Sequence, residues 1–261
     1  MRKGKKTPDR MTFLEHLDDL RKRIFYSFIV IILAVIPAWF FSKDIFGFLA
    51  HPVIQYLPEG EMLAFTSLTE PFMLYIKVSF LTAIFATSPF IFLQFWLFTA
   101  PGLYKKEKKY AIPFVFLTTF FFILGGAFAY LVVFPFACRF FIGMGADFRA
   151  VITVKQYFSL ALRVLLGIAL VFELPTLVFF LSRMGLITSR WMIKNFKYAV
   201  LAIFIIAAII TPTPDMITQS IIAGPMLALY GLSILIAFFS EKRRKKKWTE
   251  KEVFLQGPRQ E

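Results

Sequence analysis

Six long apolar runs restrict this chain more than any other feature. They cover residues 24–41, 72–98, 111–138, 158–182, 198–211 and 216–239 and are almost free of charge. A helix of about 20 apolar residues crosses the roughly 30 Å hydrocarbon layer of a bilayer. Five of the runs meet that length. The fifth in order, 198–211, rises only about 21 Å at 1.5 Å per residue, so it must thin the bilayer locally or pack inside the bundle. Composition agrees: 58% of the residues are hydrophobic and 35 are Phe, against roughly 45–50% apolar in soluble domains. The expectation is an all-α polytopic membrane protein of six transmembrane helices. It forms one domain over 1–240, followed by a basic tail, 241–261.

The cations set an orientation. Twenty-four of the 30 Lys and Arg lie in 1–23, 99–110, 183–197 and the tail beyond 240, whereas the intervening connections hold only Lys43, Arg139, Arg149 and Lys155. By the positive-inside rule both termini are cytoplasmic, as an even number of spans requires. The net charge of +14 is therefore topogenic and does not point to nucleic acid. The run KRRKKK at 242–247 suits anionic lipid.

Residues 11–23, MTFLEHLDDLRKR, predict a short amphipathic lead-in helix with Phe13, Leu14, Leu17, Leu20 and Ile24 on one face. They are no cleavable signal peptide, because acids mix with the bases and no small-residue cleavage site follows. Pro37, Pro71, Pro89, Pro113, Pro135, Pro175 and Pro225 lie in or beside the spans. A proline inside a helix frees a carbonyl and kinks it, so the bundle is expected to be bent and concave. Gly125 and Ala129 supply a small-xxx-small helix contact. The connections 42–71 and 139–156 are long enough to form an outer cap, and TPTPD at 211–215 is a tight hairpin. The last ten residues, EVFLQGPRQE, loosely resemble a protease-cleavage remnant.

No hydrolase, metalloprotease or phosphate-loop motif occurs, and the single Cys138 excludes an internal disulfide or a cysteine-cluster metal site. GMGAD at 143–147 falls in an outer loop with no second intramembrane Asp to pair with. The chain reads as neither an enzyme nor a cofactor protein. What remains is a small set of acids. Glu173 stands within the apolar run, ten residues from Arg163. A carboxylate at such depth must be neutral, paired or facing water, which makes it a candidate functional residue. Gln94, Thr118, Thr119, Thr211 and Gln219 are the polar span residues available to reach it. On the basic side lie Asp18, Asp19 and Glu107. Helical i,i+4 pairing of Asp18 and Asp19 with Lys22 and Arg23 accounts for the first two without any ligand, and the lysines of KKEKK screen Glu107.

Four stretches taken together carry a resemblance: HLDDLRKR at 16–23, FTAPGLYKKEKK at 98–109, FELP at 172–175, and TPTPD followed by Gln219. In order and spacing, from about Phe13 to Phe239, the chain resembles the TatC family of the twin-arginine translocase. The resemblance implies a concave six-helix receptor in a bacterial or archaeal plasma membrane, for the twin-arginine signal peptides of folded cargo proteins. Its partners would be the single-span TatA and TatB proteins, membrane lipid and further copies of itself in a larger complex powered by the proton-motive force. By motif, Asp19 and Glu107 would hold the arginine pair, with Arg21, Arg23, Phe98, Leu103 and Tyr104 completing that surface. Glu173 would be the groove acid, Pro52 part of the outer cap, and Thr211, Asp215 and Gln219 the partner-binding end of the last hairpin.

Two positions depart from the family pattern. Asp19 replaces the usual Glu, and Gly231 stands where an acid normally follows Leu-Tyr. The residues support the resemblance on their own terms, since guanidinium groups pair bidentately with carboxylates and a face this cationic repels arginine except where acids interrupt it. The competing reading is a proton-coupled transporter of a small solute with Glu173 as relay, for which related halves are expected and no repeat is visible.

Overall fold

The structure is a computed structural model that describes residues 13–57, 62–99, 111–145, 151–211 and 216–256. Among these residues the regular elements are helical. Helices α1 (Phe13–Phe40), α2 (Ser42–Ile54), α3 (Glu70–Thr99) and α4 (Ala111–Phe128) are followed by a π turn (Ala129–Val133). Then come α5 (Phe134–Met144), α6 (Val154–Val171), α7 (Leu174–Met184), α8 (Ser189–Lys194), α9 (Phe196–Ile210) and α10 (Met216–Gln256). Five segments are long and apolar enough to cross a membrane: Glu15–Phe40, Glu70–Thr99, Ile112–Met144, Val154–Ser182 and Met216–Glu241. The sixth, Phe196–Ile210, is shorter. The expected all-α, multi-span architecture is therefore present, including the short fifth span.

The lead-in segment is not a separate helix. α1 continues through Ile24 without a break, because nothing between Phe13 and Phe40 other than Pro37 interrupts an i→i−4 ladder. The chain forms two compact units, Met1–Ala50 with Thr66–Phe120 and His51–Phe65 with Phe121–Glu261.

In the first unit α1 lies antiparallel along α3. Ring pairs mark both ends of the seam: His16 stacks on Phe98 at 4.4 Å, and Trp39 meets Phe72 edge-on at 5.7 Å. Val78, Ser79 and Ala83 of α3 are fully buried. Outside the seam α1 exposes Phe25, Leu33 and Phe40, the side chains expected where lipid is the solvent. Thr66 and Glu70 close the start of α3, with Thr66 Oγ1 donating to Glu70 Oε1 at 2.6 Å and Thr66 N to Glu70 Oε2 at 3.0 Å.

In the second unit two spans are interrupted, each beside a proline. The π turn ends where Phe134 N donates to Ala129 O, and Pro135 then occupies the first turn of α5. Pro175 likewise sits in the first turn of α7. Lacking an N–H, it leaves the carbonyl of Val171 without its i+4 donor, and α6 ends at that residue. The expected kinks are thus helix resets at Pro135 and Pro175, whereas Pro37, Pro89 and Pro225 are carried inside continuous helices.

The two long connections meet through backbone pairing. Ala64 N donates to Ile152 O at 3.0 Å and Val154 N to Ala64 O at 2.8 Å. The turn after α7 closes on Gly185, whose φ of 82° is left-handed and suits glycine. Behind it Val178, Met192 and Ala237 pack together, and the side chain of Glu241 accepts from Ser189 N.

Gly125 permits the closest approach in this unit. A Cβ there would lie 2.7 Å from Phe172 Cβ and 2.8 Å from the backbone Cα of Ala169, and neither atom can rotate away. At Gly167 the obstruction is the Ile210 side chain, with Cδ1 at 2.8 Å. Gly125→Ala should therefore lower stability by about 1–3 kcal/mol, the range for overpacking, and Gly167→Ala by less. Thermal unfolding of the purified variants in detergent checks the order; equal losses contradict it.

Candidate functional site

Helical spacing places His16, Asp19, Leu20 and Arg23 on one face of α1, and that face meets α3. Asp19 Oδ2 accepts from Arg23 Nε at 2.7 Å, and both side chains are only about one-fifth exposed (22% and 21%). Arg23 Nη1 reaches across to Gln94 Oε1 at 3.5 Å. Beside this chain of contacts lies an open groove of about 310 Å³ between α1 and α3. Leu20, Ile24, Phe28, Ile91, Phe95 and Phe98 line it, with Arg23 and Gln94 at its polar edge. Asp18 pairs with Lys22 at 2.8 Å on the exposed side and takes no part. The ion pairs anticipated from i,i+4 spacing are both present.

The structure thus brings Asp19, Arg23 and Phe98 together and leaves Arg21 exposed, outside the cluster. Glu107, Leu103 and Tyr104 lie outside the described residues. Two members escape the reading of the sequence. His16 stacks on Phe98, and Gln94 accepts from Arg23. The i, i+3, i+7 spacing of His16, Asp19 and Arg23 is the signal available for the first. Nothing local indicates the second, because Gln94 lies 71 positions from its partner.

Glu173 occupies the reset between α6 and α7. Its N–H donates to Leu170 O at 3.1 Å, a tighter turn than the α-helical one, and its carbonyl accepts from Leu177 N at 2.9 Å. The side chain is half-buried, and Oε1 is buried with no hydrogen-bond partner among the described residues. One helical turn on, Thr176 is 1% exposed and its Oγ1 is likewise unpartnered. Several other threonines are satisfied locally. Thr87, Thr118 and Thr211 each donate to the carbonyl four residues back, at 2.7–2.9 Å, the common resolution for a hydroxyl in an apolar helix.

Those back-bonds remove most of the polar residues grouped with Glu173. Thr118 and Thr211 are self-satisfied, and Gln219 Nε2 donates to Phe204 O at 2.6 Å, tying α10 to α9. Thr119 Oγ1 has no partner among the described residues. Thr211 and Gln219 both belong to the α9–α10 hairpin, and Asp215 between them lies outside the described residues. Pro52 is buried in α2, and its carbonyl accepts from Gln55 Nε2 at 3.4 Å. A Cβ at Gly231 would meet no atom within 4 Å, so the departure there leaves open space. Among the described residues no cluster of His, Cys, Asp and Glu is arranged to hold a metal ion.

Comparison with known proteins agrees with the architecture. The family model described as Sec-independent protein translocase protein (TatC) matches residues 15–225. The chain is 42% identical over 250 residues to the Sec-independent protein translocase protein TatC of Koribacter versatilis, covering 95% of this chain and 92% of that one. It is 46% identical over 228 residues to the protein of the same name from Helicobacter pylori (strain J99), covering 85% and 87%. A crystal structure of the twin-arginine translocase receptor TatC superposes with a TM-score of 0.77 at 35% identity, over 87% of this chain and 99% of that one. The chain belongs to the TatC family of Sec-independent protein translocase proteins: it is a multi-pass membrane component of a protein translocase and not an enzyme.

Proposed function

We propose that this chain is the translocase component that receives twin-arginine signal peptides of folded cargo. The observation that carries the reading is the juxtaposition at one end of the α1–α3 seam of an acid, Asp19, with an apolar groove. A signal of this class couples two guanidinium groups to an apolar stretch, and the site offers a counterpart for each. Asp19 and, across the KKEKK segment, Glu107 take the arginines through charge-assisted hydrogen bonds. Ile24, Phe28, Ile91 and Phe95 offer the apolar stretch a place out of water. Exposed ion pairs are weak singly, so the groove supplies much of the affinity and the carboxylates its selectivity.

The concentration of cations in 1–23, 99–110, 183–197 and the tail puts this end of the seam, and both termini, on the cytoplasmic side of a bacterial or archaeal plasma membrane. Single-span TatA and TatB proteins dock at the α9–α10 hairpin near Thr211, Asp215 and Gln219. Glu173 is the intramembrane acid that a partner's polar group satisfies during transport, and the proton-motive force drives the cycle. The interrupted span around Glu173 is also the kind of element that transporters use at a substrate site; membership of a protein-translocase family favours the translocation reading.

Asp19→Asn combined with Glu107→Gln should weaken binding of a twin-arginine signal peptide by about tenfold or more, the loss expected for charge-assisted bonds. Affinity for a peptide with the same apolar stretch and no arginines should stay the same. Fluorescence anisotropy with the full chain in lipid nanodiscs measures both, and unchanged twin-arginine binding overturns the assignment. Glu173→Gln should leave peptide binding intact while export of a twin-arginine substrate falls severalfold. If export is normal, the acid has no transport role. After Cys138→Ser, a cysteine at position 3 or 194 should resist a membrane-impermeant maleimide added outside intact cells and one at position 43 should react; the reverse pattern refutes the orientation.

A further inference from the structure

The carboxylate assigned to the signal's arginine already holds an arginine. Arg23 Nε lies 2.7 Å from Asp19 Oδ2 with both side chains largely buried, and the far end of the same guanidinium touches Gln94 Oε1 on α3. Asp18 and Lys22, one position back, form the corresponding pair at 2.8 Å but are more than half exposed. The two pairs differ in what surrounds them. Arg23 has an alternative acceptor and lines the apolar groove, whereas among the described residues Lys22 has neither.

Resting on the signal-receptor reading above, we propose that Arg23 is a built-in competitor for Asp19 and that Gln94 is a further positioning residue of the site, the acceptor that takes Arg23 over when a signal arginine arrives. Arg23 approaches the carboxylate through Nε and one oxygen. A peptide guanidinium entering from solvent presents its paired N–H groups and engages both oxygens. When it does so, Arg23 must leave, and a guanidinium displaced into an apolar groove without an acceptor would be a buried unpaired charge. The amide oxygen of Gln94, already 3.5 Å away, removes that obstacle. The exchange keeps Asp19 paired before and after binding, lowers the affinity for the signal, and so favours its later release.

The two substitutions have opposite signs. Arg23→Gln removes the competitor and should tighten twin-arginine peptide binding by about fivefold, the scale of one partly exposed ion pair. Gln94→Leu removes the acceptor and should weaken binding by a similar factor. Gln94→Glu restores an acceptor and should recover or exceed wild-type affinity, a rescue that a purely packing role for Gln94 would not show. In the Arg23→Gln background, Gln94→Leu should have no further effect. Anisotropy titration of a labelled twin-arginine peptide against the full chain in nanodiscs, with thermal unfolding to confirm that each variant is folded, reads all four. Weaker binding by folded Arg23→Gln, or the same loss from Gln94→Leu in both backgrounds, overturns the proposal. Failure of the wild-type chain to bind the peptide at all would instead strike the receptor reading itself.

Discussion

The constraint on which this structure depends is the absence of water around the backbone of a membrane span. Each N–H and C=O must find its partner within the helix, since an unsatisfied group in hydrocarbon costs several kcal/mol. A proline, which has no N–H to give, is therefore disruptive, and the chain accommodates it in two ways. Where the helix simply runs on, as at Pro37, Pro89 and Pro225, the ladder loses one bond. At Pro135 and Pro175 the helix is restarted instead, once after a π turn and once after the tightened turn at Phe172 and Glu173. The second restart is what carries the acid. Glu173 sits where the regular ladder is already broken, so its position follows from the Phe-Glu-Leu-Pro order of the sequence.

The same constraint sorts the polar side chains. A hydroxyl in an apolar helix normally donates to the carbonyl one turn back, and Ser79, Thr82, Thr87, Thr118, Thr211, Ser220 and Ser233 all do so. The hydroxyl donors of such residues are satisfied within their own helices. Gln219 is spent on the α9 backbone. Against that background Glu173 Oε1 and Thr176 Oγ1, buried on successive turns and without a partner among the described residues, still have something to gain from another molecule. At the α1–α3 seam the logic is electrostatic. Asp19 is an acid in a strongly cationic stretch, and the protein's own Arg23 answers it first. On the proposed reading, a signal arginine meets an occupied carboxylate, and its binding exchanges one ion pair for another.

How much of this is readable from the residues differs between fold and site. The spans are legible because a length of apolar chain is a local property, and even the short helix before the last hairpin follows from counting residues. The separate lead-in helix is where such reading fails: a change from amphipathic to apolar character looks like a boundary in sequence, but no helix breaker lies there and α1 runs straight through. For the site, His16, Asp19 and Arg23 share a face by arithmetic alone. The Gln94 contact with Arg23 is not legible in the sequence, because a residue in a neighbouring span has no spacing rule that ties it to α1.

The sequence by itself determined the membrane class, the number of the spans and their approximate positions, the cationic ends and the identity of the isolated acid. All of these rest on local composition and on the energetics of transfer from water to hydrocarbon. Only the tertiary structure decided which polar atoms are spoken for. The Arg23–Gln94 contact, the Gln219–Phe204 tie, the close approach at Gly125 and the lack of a partner for Glu173 Oε1 and Thr176 Oγ1 among the described residues depend on which helix faces meet. Those meetings are set by side-chain packing between segments far apart in the chain, where periodicity carries no information.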